Sequence, residues 1–272
     1  MNVADHFRGI DLKIGRAREH ANELIRTYNQ WGERAGLKID AELLPGRLGF
    51  RLVLREYSEP PPTDRWALLV GDCVHNLRSS LDNLAYALAL VKRDPPSDPH
   101  GIGFPIFDDE AAFQMRAVRT LKQLPDDAAA LLTSVQPFHH GKETAKRVAL
   151  RLLQYLSNND KHRVPQITLC CIELGGQVPE LNFQSPEDAI AAMPPKACRM
   201  HSGHAVPGTC LLEIEVTRPI ARLEGSGKVQ PVPAIQTLVG LEGVIPVLET
   251  LGITVQVINH AARELESVGS HG

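Results

Sequence analysis

The stretch Gly71–Leu88 reads GDCVHNLRSSLDNLAYAL and carries Asp, His, Asn, Arg, Ser and Tyr at helical spacing. It lacks the Lys and Glu that usually cover a wet helix face. Histidine exchanges a proton near neutral pH, and arginine grips carboxylate or phosphate with a rigid fork of donors. At ~100° per residue, Trp66, Leu69, Val70, Cys73, Leu77, Leu81, Leu84 and Leu88 share one face. Asp72, His75, Ser79, Asp82, Asn83 and Tyr86 fall on the other, with Arg78 at the edge, a turn from both His75 and Asp82. Ser, Asn and Asp lower helix propensity, so their accumulation here needs an offset. Three readings supply one: a helix packed on both faces, a ligand, nucleic-acid or catalytic face, or a solvated face.

A second polar cluster closes the segment 143–160, ETAKRVALRLLQYLSNND, and continues into Lys161-His162-Arg163. Ala149, Leu150, Leu152, Leu153 and Leu156 form its apolar face, and the same projection turns Ser157 and Asp160 towards the interior. An inward carboxylate needs a cation or several donors, which makes Arg78 the expected counter-ion of Asp160. Cations at a helix C-terminus complement its dipole, and that accounts for Lys161, His162 and Arg163 structurally. The functional alternative has His162 moving a proton while Lys161 and Arg163 hold phosphate.

Four ordered blocks, GDCVHNLRSSLDNLA, FPIF, LLTSVQPF and LQYLSNNDKHR, resemble a pattern shared by a group of uncharacterised bacterial proteins. Their equivalents read HNLRSALDHL and LNxxDKHR, and the resemblance covers about residues 65–165. The pattern is also loosely similar to the HEPN superfamily of helical bundles, whose motif is an Arg, a neighbouring polar residue and a His four to six residues on. That resemblance implies a homodimeric, metal-independent ribonuclease or a degenerate, RNA-associated relative. It implies that Arg78 stabilises a phosphorane, that His75 or His162 acts as acid or base, and that Lys161 and Arg163 hold phosphates. Asp82, Asn83, Asn159 and Asp160 complete the expected binding residues. Arg78 and Ser79 match the start of the motif, but Asn83 stands where its His would fall. An amide exchanges no proton near pH 7, so this departure removes the general acid or base. The rival reading is a non-catalytic protein whose polar helix face supports a dimer or a small-ligand pocket.

Other constellations are weaker. Cys198, His201, His204 and Cys210 are chemically suited to zinc but fit no common module, and a polar loop is expected there. Cys170 and Cys171 lack a catalytic signature. No nucleophile elbow, P-loop or dinucleotide fingerprint is present, and no cofactor is expected. A net charge of -3 and a pI near 6.4 argue against a generally basic nucleic-acid binder. An aromatic content of 5% argues against a base-stacking single-strand binder. Five cysteines without framework spacing, no apolar leader and no apolar run of ~20 residues point to a cytoplasmic protein without membrane association.

The elements that must position these residues follow from periodicity. Apolar steps of three and four predict helices over 5–35, 64–91, 143–161 and 246–268, the last beginning with Pro246 at its first position. One or two short helices are expected around Pro125, and a loop carrying FPIF over 94–108. KIDAELL and GFRLVLREY flank a Leu-Pro-Gly turn and predict a hairpin. QITLCCIEL, VPELNFQ, TCLLEIEVTRPI and GKVQPV are further candidate strands. Without a clear linker, the expectation is a single α+β domain over 1–272, a helical core flanked by short antiparallel strands.

Overall fold

A computed structural model describes residues 3–141, 144–160, 167–170, 179–200, 205–225, 232–236 and 244–269. It has an α+β fold of helices and short antiparallel strands. The chain divides into two compact units, each assembled from segments far apart in sequence. One unit comprises Met1–Leu24, Ala67–Pro165 and Leu248–Gly272, and the other Ile25–Trp66 and Gln166–Val247.

The described elements of the first unit are helical. It draws on α1 (Val3–Arg34), α2 (Thr63–Lys92), α3 (Glu110–Arg116), α4 (Val118–Leu121), α5 (Asp126–Ser134), α6 (Ala145–Asp160) and α8 (Val247–Gly269). Each long helix buries the stripe its periodicity predicts. Ile10, Ile14, Ala17, Ala21 and Leu24 are buried on α1, and Val70, Cys73, Leu77, Leu81, Leu84 and Leu88 on α2. Leu152, Leu153 and Leu156 are buried on α6, and Leu251, Val255, Ile258 and Leu265 on α8. Polar contacts tie the helices at their edges. The His6 and Tyr86 rings meet at a tilt with centres 5.6 Å apart, Asp11 meets Arg263 at 2.8 Å, and Lys92 Nζ donates to the Leu124 carbonyl at 2.7 Å.

The second unit holds α7 (Pro186–Ala191) and the strands β1 (Lys38–Leu43), β2 (Gly49–Glu56), β3 (Ile167–Cys170), β4 (Glu180–Phe183), β5 (Ala197–Met200), β6 (Cys210–Glu215), β7 (Ile220–Glu224), β8 (Val232–Gln236) and β9 (Val244–Pro246). They form sheets ordered β1-β2-β6-β5, β3-β8-β9 and β4-β7, every pairing antiparallel. The β1–β2 hairpin turns through Gly46 and Arg47, both at positive φ. Gly36, at φ 54°, follows the end of α1, a position that glycine fills without a Cβ clash. Tyr28, Trp31 and Trp66 form an aromatic cluster in which Trp31 and Trp66 meet edge to face at 5.5 Å. The Trp31 indole donates to the Glu59 carbonyl at 3.0 Å.

Three expectations need correction. Pro246 ends β9 opposite Ala234 rather than opening the last helix, which starts at Val247. Cys198 lies on β5, a strand paired with β6, rather than in a polar loop; pairing with a neighbour satisfied a polar segment whose alternation was too short to read. Around Pro125 there are three short helices: Ala117 stands between the first two, and Pro125 caps the start of the third. Of GKVQPV, only Val232 falls in a described strand, and the residues before it lie outside the described ones.

Burial separates the cysteines chemically. Cys73 is wholly buried on the Leu face of α2, and desolvation pushes its thiol up to about 12. Cys198 is exposed on β5. Thiolate is the reacting form, so at pH 8 Cys198 labels readily with a disulfide reagent while Cys73 reacts roughly a hundredfold more slowly, through opening of the helical unit. Peptide mapping of the labelled native chain reads both rates, and equal labelling of Cys73 and Cys198 would refute the placement of α2.

Candidate functional site

The chemistry begins where α2 meets the FPIF segment. Phe104 is 1% exposed, so its backbone N–H and carbonyl leave water and need partners in the protein. Two side chains one turn apart on α2 supply them. Asp82 Oδ1 accepts from the Phe104 N–H at 2.9 Å, and Arg78 NH2 donates to the Phe104 carbonyl at 2.6 Å. The pair is also bridged internally, Arg78 NH2 to Asp82 Oδ1 at 2.9 Å and Nε to Oδ2 at 3.3 Å. Arg78 NH1 then donates to Gln154 Oε1 of α6 at 3.0 Å. Four of the five guanidinium N–H groups are thereby engaged, and the remaining one is on NH1.

Downstream, the same segment is fixed by other elements. Gln136, fully buried, donates to the Pro105 carbonyl at 2.9 Å and accepts from the Phe107 N–H at 3.1 Å. Asp108 receives Arg147 at 2.8 Å and Arg151 at 3.1 Å, both from α6. Residues that are far apart in sequence, in HNLRSSLD, in VQPF and on α6, therefore converge on one short extended segment.

Beside the clamp lies a cleft of about 300 Å3, lined by His75, Arg78, Ser79 and Asp82 of α2 and by Gln154, Ser157 and Asn158 of α6. All seven belong to the helical unit. The polar half of α2 is graded rather than uniformly buried or solvated. His75 is exposed, Ser79, Asp82, Asn83 and Tyr86 are half-buried, and Ser80 is buried with its hydroxyl donating to the Leu77 carbonyl at 2.7 Å. Among the described residues, His75, Ser79, Ser157 and Asn158 have no hydrogen-bond partner. Ser157 is 8% exposed, so its inward projection is observed.

The cleft brings together His75, Arg78 and Asp82 as the sequence predicts. Asn83, on the same face, does not line it. The acidic partner described for Arg78 is Asp82, on its own helix. Asp160 closes α6, but its side chain and that of Asn159 lie outside the described residues, as do Lys161, His162 and Arg163 entirely. Gln154, Ser157 and Asn158 follow the i, i+3, i+4 rule and could have been found as a polar stripe of α6 facing α2. Gln136 gave no such signal, because a single amide in a loop has no periodicity.

Among the described residues, no group of three or more His, Cys, Asp or Glu side chains could hold a metal ion, and no helix is long and apolar enough to cross a membrane. Cys198 opens towards solvent on β5 and Cys210 begins β6, whereas His201 and His204 lie outside the described residues. Comparison with protein-family models, curated proteins and solved structures returns no match to this chain.

The network around Gln136 makes a direct prediction. Gln136→Leu keeps much of the volume but strands the Pro105 carbonyl and the Phe107 N–H. It is expected to destabilise the chain by about 2 kcal/mol, a fall in melting temperature of about 4–8 °C. Calorimetry checks this, and a shift under about 1 °C would show that the FPIF segment is not held as described.

Proposed function

We propose that the protein is a non-catalytic, HEPN-like helical scaffold that presents the α2–α6 cleft as a pocket for a small polar ligand. The observation that carries this reading is the commitment of Arg78. A phosphorane needs guanidinium N–H groups free to meet its equatorial oxygens. Here four of five serve Asp82, Gln154 and the Phe104 carbonyl, and the charge is balanced by the Asp82 carboxylate. Around that fixed ion pair stand His75, Ser79, Ser157 and Asn158 with hydrogen-bonding capacity not used by described residues. Polar side chains that converge on a concavity can fix the orientation of a polar ligand.

One observation favours the ribonuclease reading instead. His75 is exposed and lines the same opening as Arg78, so an imidazole stands within one helical turn of a guanidinium without needing a His at position 83. RNA association belongs to that reading, and homodimer formation is compatible with both.

Two variants separate the readings. In the pocket reading, Arg78→Ala breaks the clamp and lowers stability by about 2 kcal/mol, whereas His75→Ala leaves the melting temperature unchanged. Neither the parent nor the variants then degrade mixed RNA on a denaturing gel. Cleavage by the parent that disappears in His75→Ala, with the fold intact by circular dichroism, would replace the pocket reading with a nuclease.

A further inference from the structure

We infer that the second unit holds a separate binding site, an apolar cavity that takes an uncharged aromatic molecule. The strands build most of it. Phe50 of β2 and Ile214 of β6 are register partners, and Leu181 and Phe183 stand two residues apart on β4, where alternation puts both on one face. The chain then runs through α7 towards β5 and adds Ala189, Met193 and Pro195 as a further wall. The cavity measures about 390 Å3, and its lining lies wholly within this unit. That is far above the gaps of a packed interior, few of which exceed one water molecule. Phe50 is 1% exposed at the inner end, whereas Met193 is 51% exposed, which gives the cavity a mouth.

What the lining lacks decides the polarity of the ligand. No lining side chain carries a charge or a hydrogen-bond donor, and the Met193 thioether is only a weak acceptor. Pro179 and Pro195 bring no backbone N–H. The cations next to lining residues in the chain, Arg51 and Lys196, pair with Glu42 at 2.7 Å and Glu215 at 3.7 Å. An ionised group entering here would leave water with no counter-charge or donor among the lining side chains. Rings decide the shape. Phe50 and Phe183 supply aromatic surface, the two prolines are rigid, and the Met193 sulfur suits a ring edge. Those contacts add to area burial for an aromatic guest, whereas an alkyl chain lacks them and loses more torsional freedom on binding. The volume is about two and a half times the ~150 Å3 of an apolar cavity that takes benzene, so two or three rings fit.

Fluorescence titration of the full chain tests this with two matched probes. Phenylnaphthylamine is uncharged, and anilinonaphthalene sulfonate carries the same rings with a sulfonate added. The uncharged probe is expected to bind one to one, and about tenfold more tightly than its sulfonated analogue. Ala189→Trp fills the cavity and Met193→Glu sets a carboxylate at its mouth. Each is expected to weaken the uncharged probe about tenfold, with circular dichroism unchanged. Met193 is exposed, so Met193→Glu decides the matter even if Ala189→Trp fails to fold. Naphthol is expected to displace the probe at lower concentration than heptanol, an alkyl alcohol of similar hydrophobicity. Absence of saturable binding, equal affinity for the two probes, or binding unaltered in the folded variants would overturn the inference. Displacement by heptanol ahead of naphthol would overturn it too.

Discussion

The helical unit is organised around the satisfied backbone of one buried residue, Phe104. Burying the Phe104 ring carries its backbone N–H and carbonyl out of water, and both find their partners on α2, in Asp82 and Arg78. A lone arginine or a lone aspartate would do half of this and leave its own charge uncompensated in a half-buried site. Placed four residues apart, each neutralises the other, and one takes the N–H and the other the carbonyl of Phe104. This explains why α2 tolerates so many poor helix formers. Their propensity deficit is small beside an unsatisfied buried peptide and a partly buried charge.

From that interaction the cleft follows. Arg78 reaches Gln154, which orients α6 so that Ser157 and Asn158 look back across the opening at His75 and Ser79. Gln136 and the Arg147–Asp108–Arg151 cluster hold the rest of the FPIF segment, which is thus braced at Phe104, Pro105, Phe107 and Asp108. A guanidinium committed in this way is a strut, and the chemistry at the opening falls to its neighbours.

Much of the architecture was legible from periodicity. The long helices begin and end within about two residues of the expected positions, because their apolar stripes run continuously and their ends carry glycine, proline or polar stops. Strand β5, the helix α7 and the role of Pro246 were not legible. Each is short, and what decides it is a neighbour across a sheet or a capping serine rather than its own pattern. The site was half legible: His75, Arg78 and Asp82 stood out by residue type, whereas Gln136 became visible only once Pro105 and Phe107 were placed against it.

By itself the sequence determined the α+β class, the two-faced character of α2 and the inward turn of Ser157, all consequences of local repeat and helical geometry. The tertiary structure alone decided what Arg78 is for. A guanidinium one turn from a histidine and an aspartate can be a catalyst, a counter-ion or a clamp. The choice rests on which distant backbone reaches it, here the carbonyl of Phe104, 26 residues away. No local pattern encodes that encounter, because it is made by the packing of α2, α6 and an extended loop together.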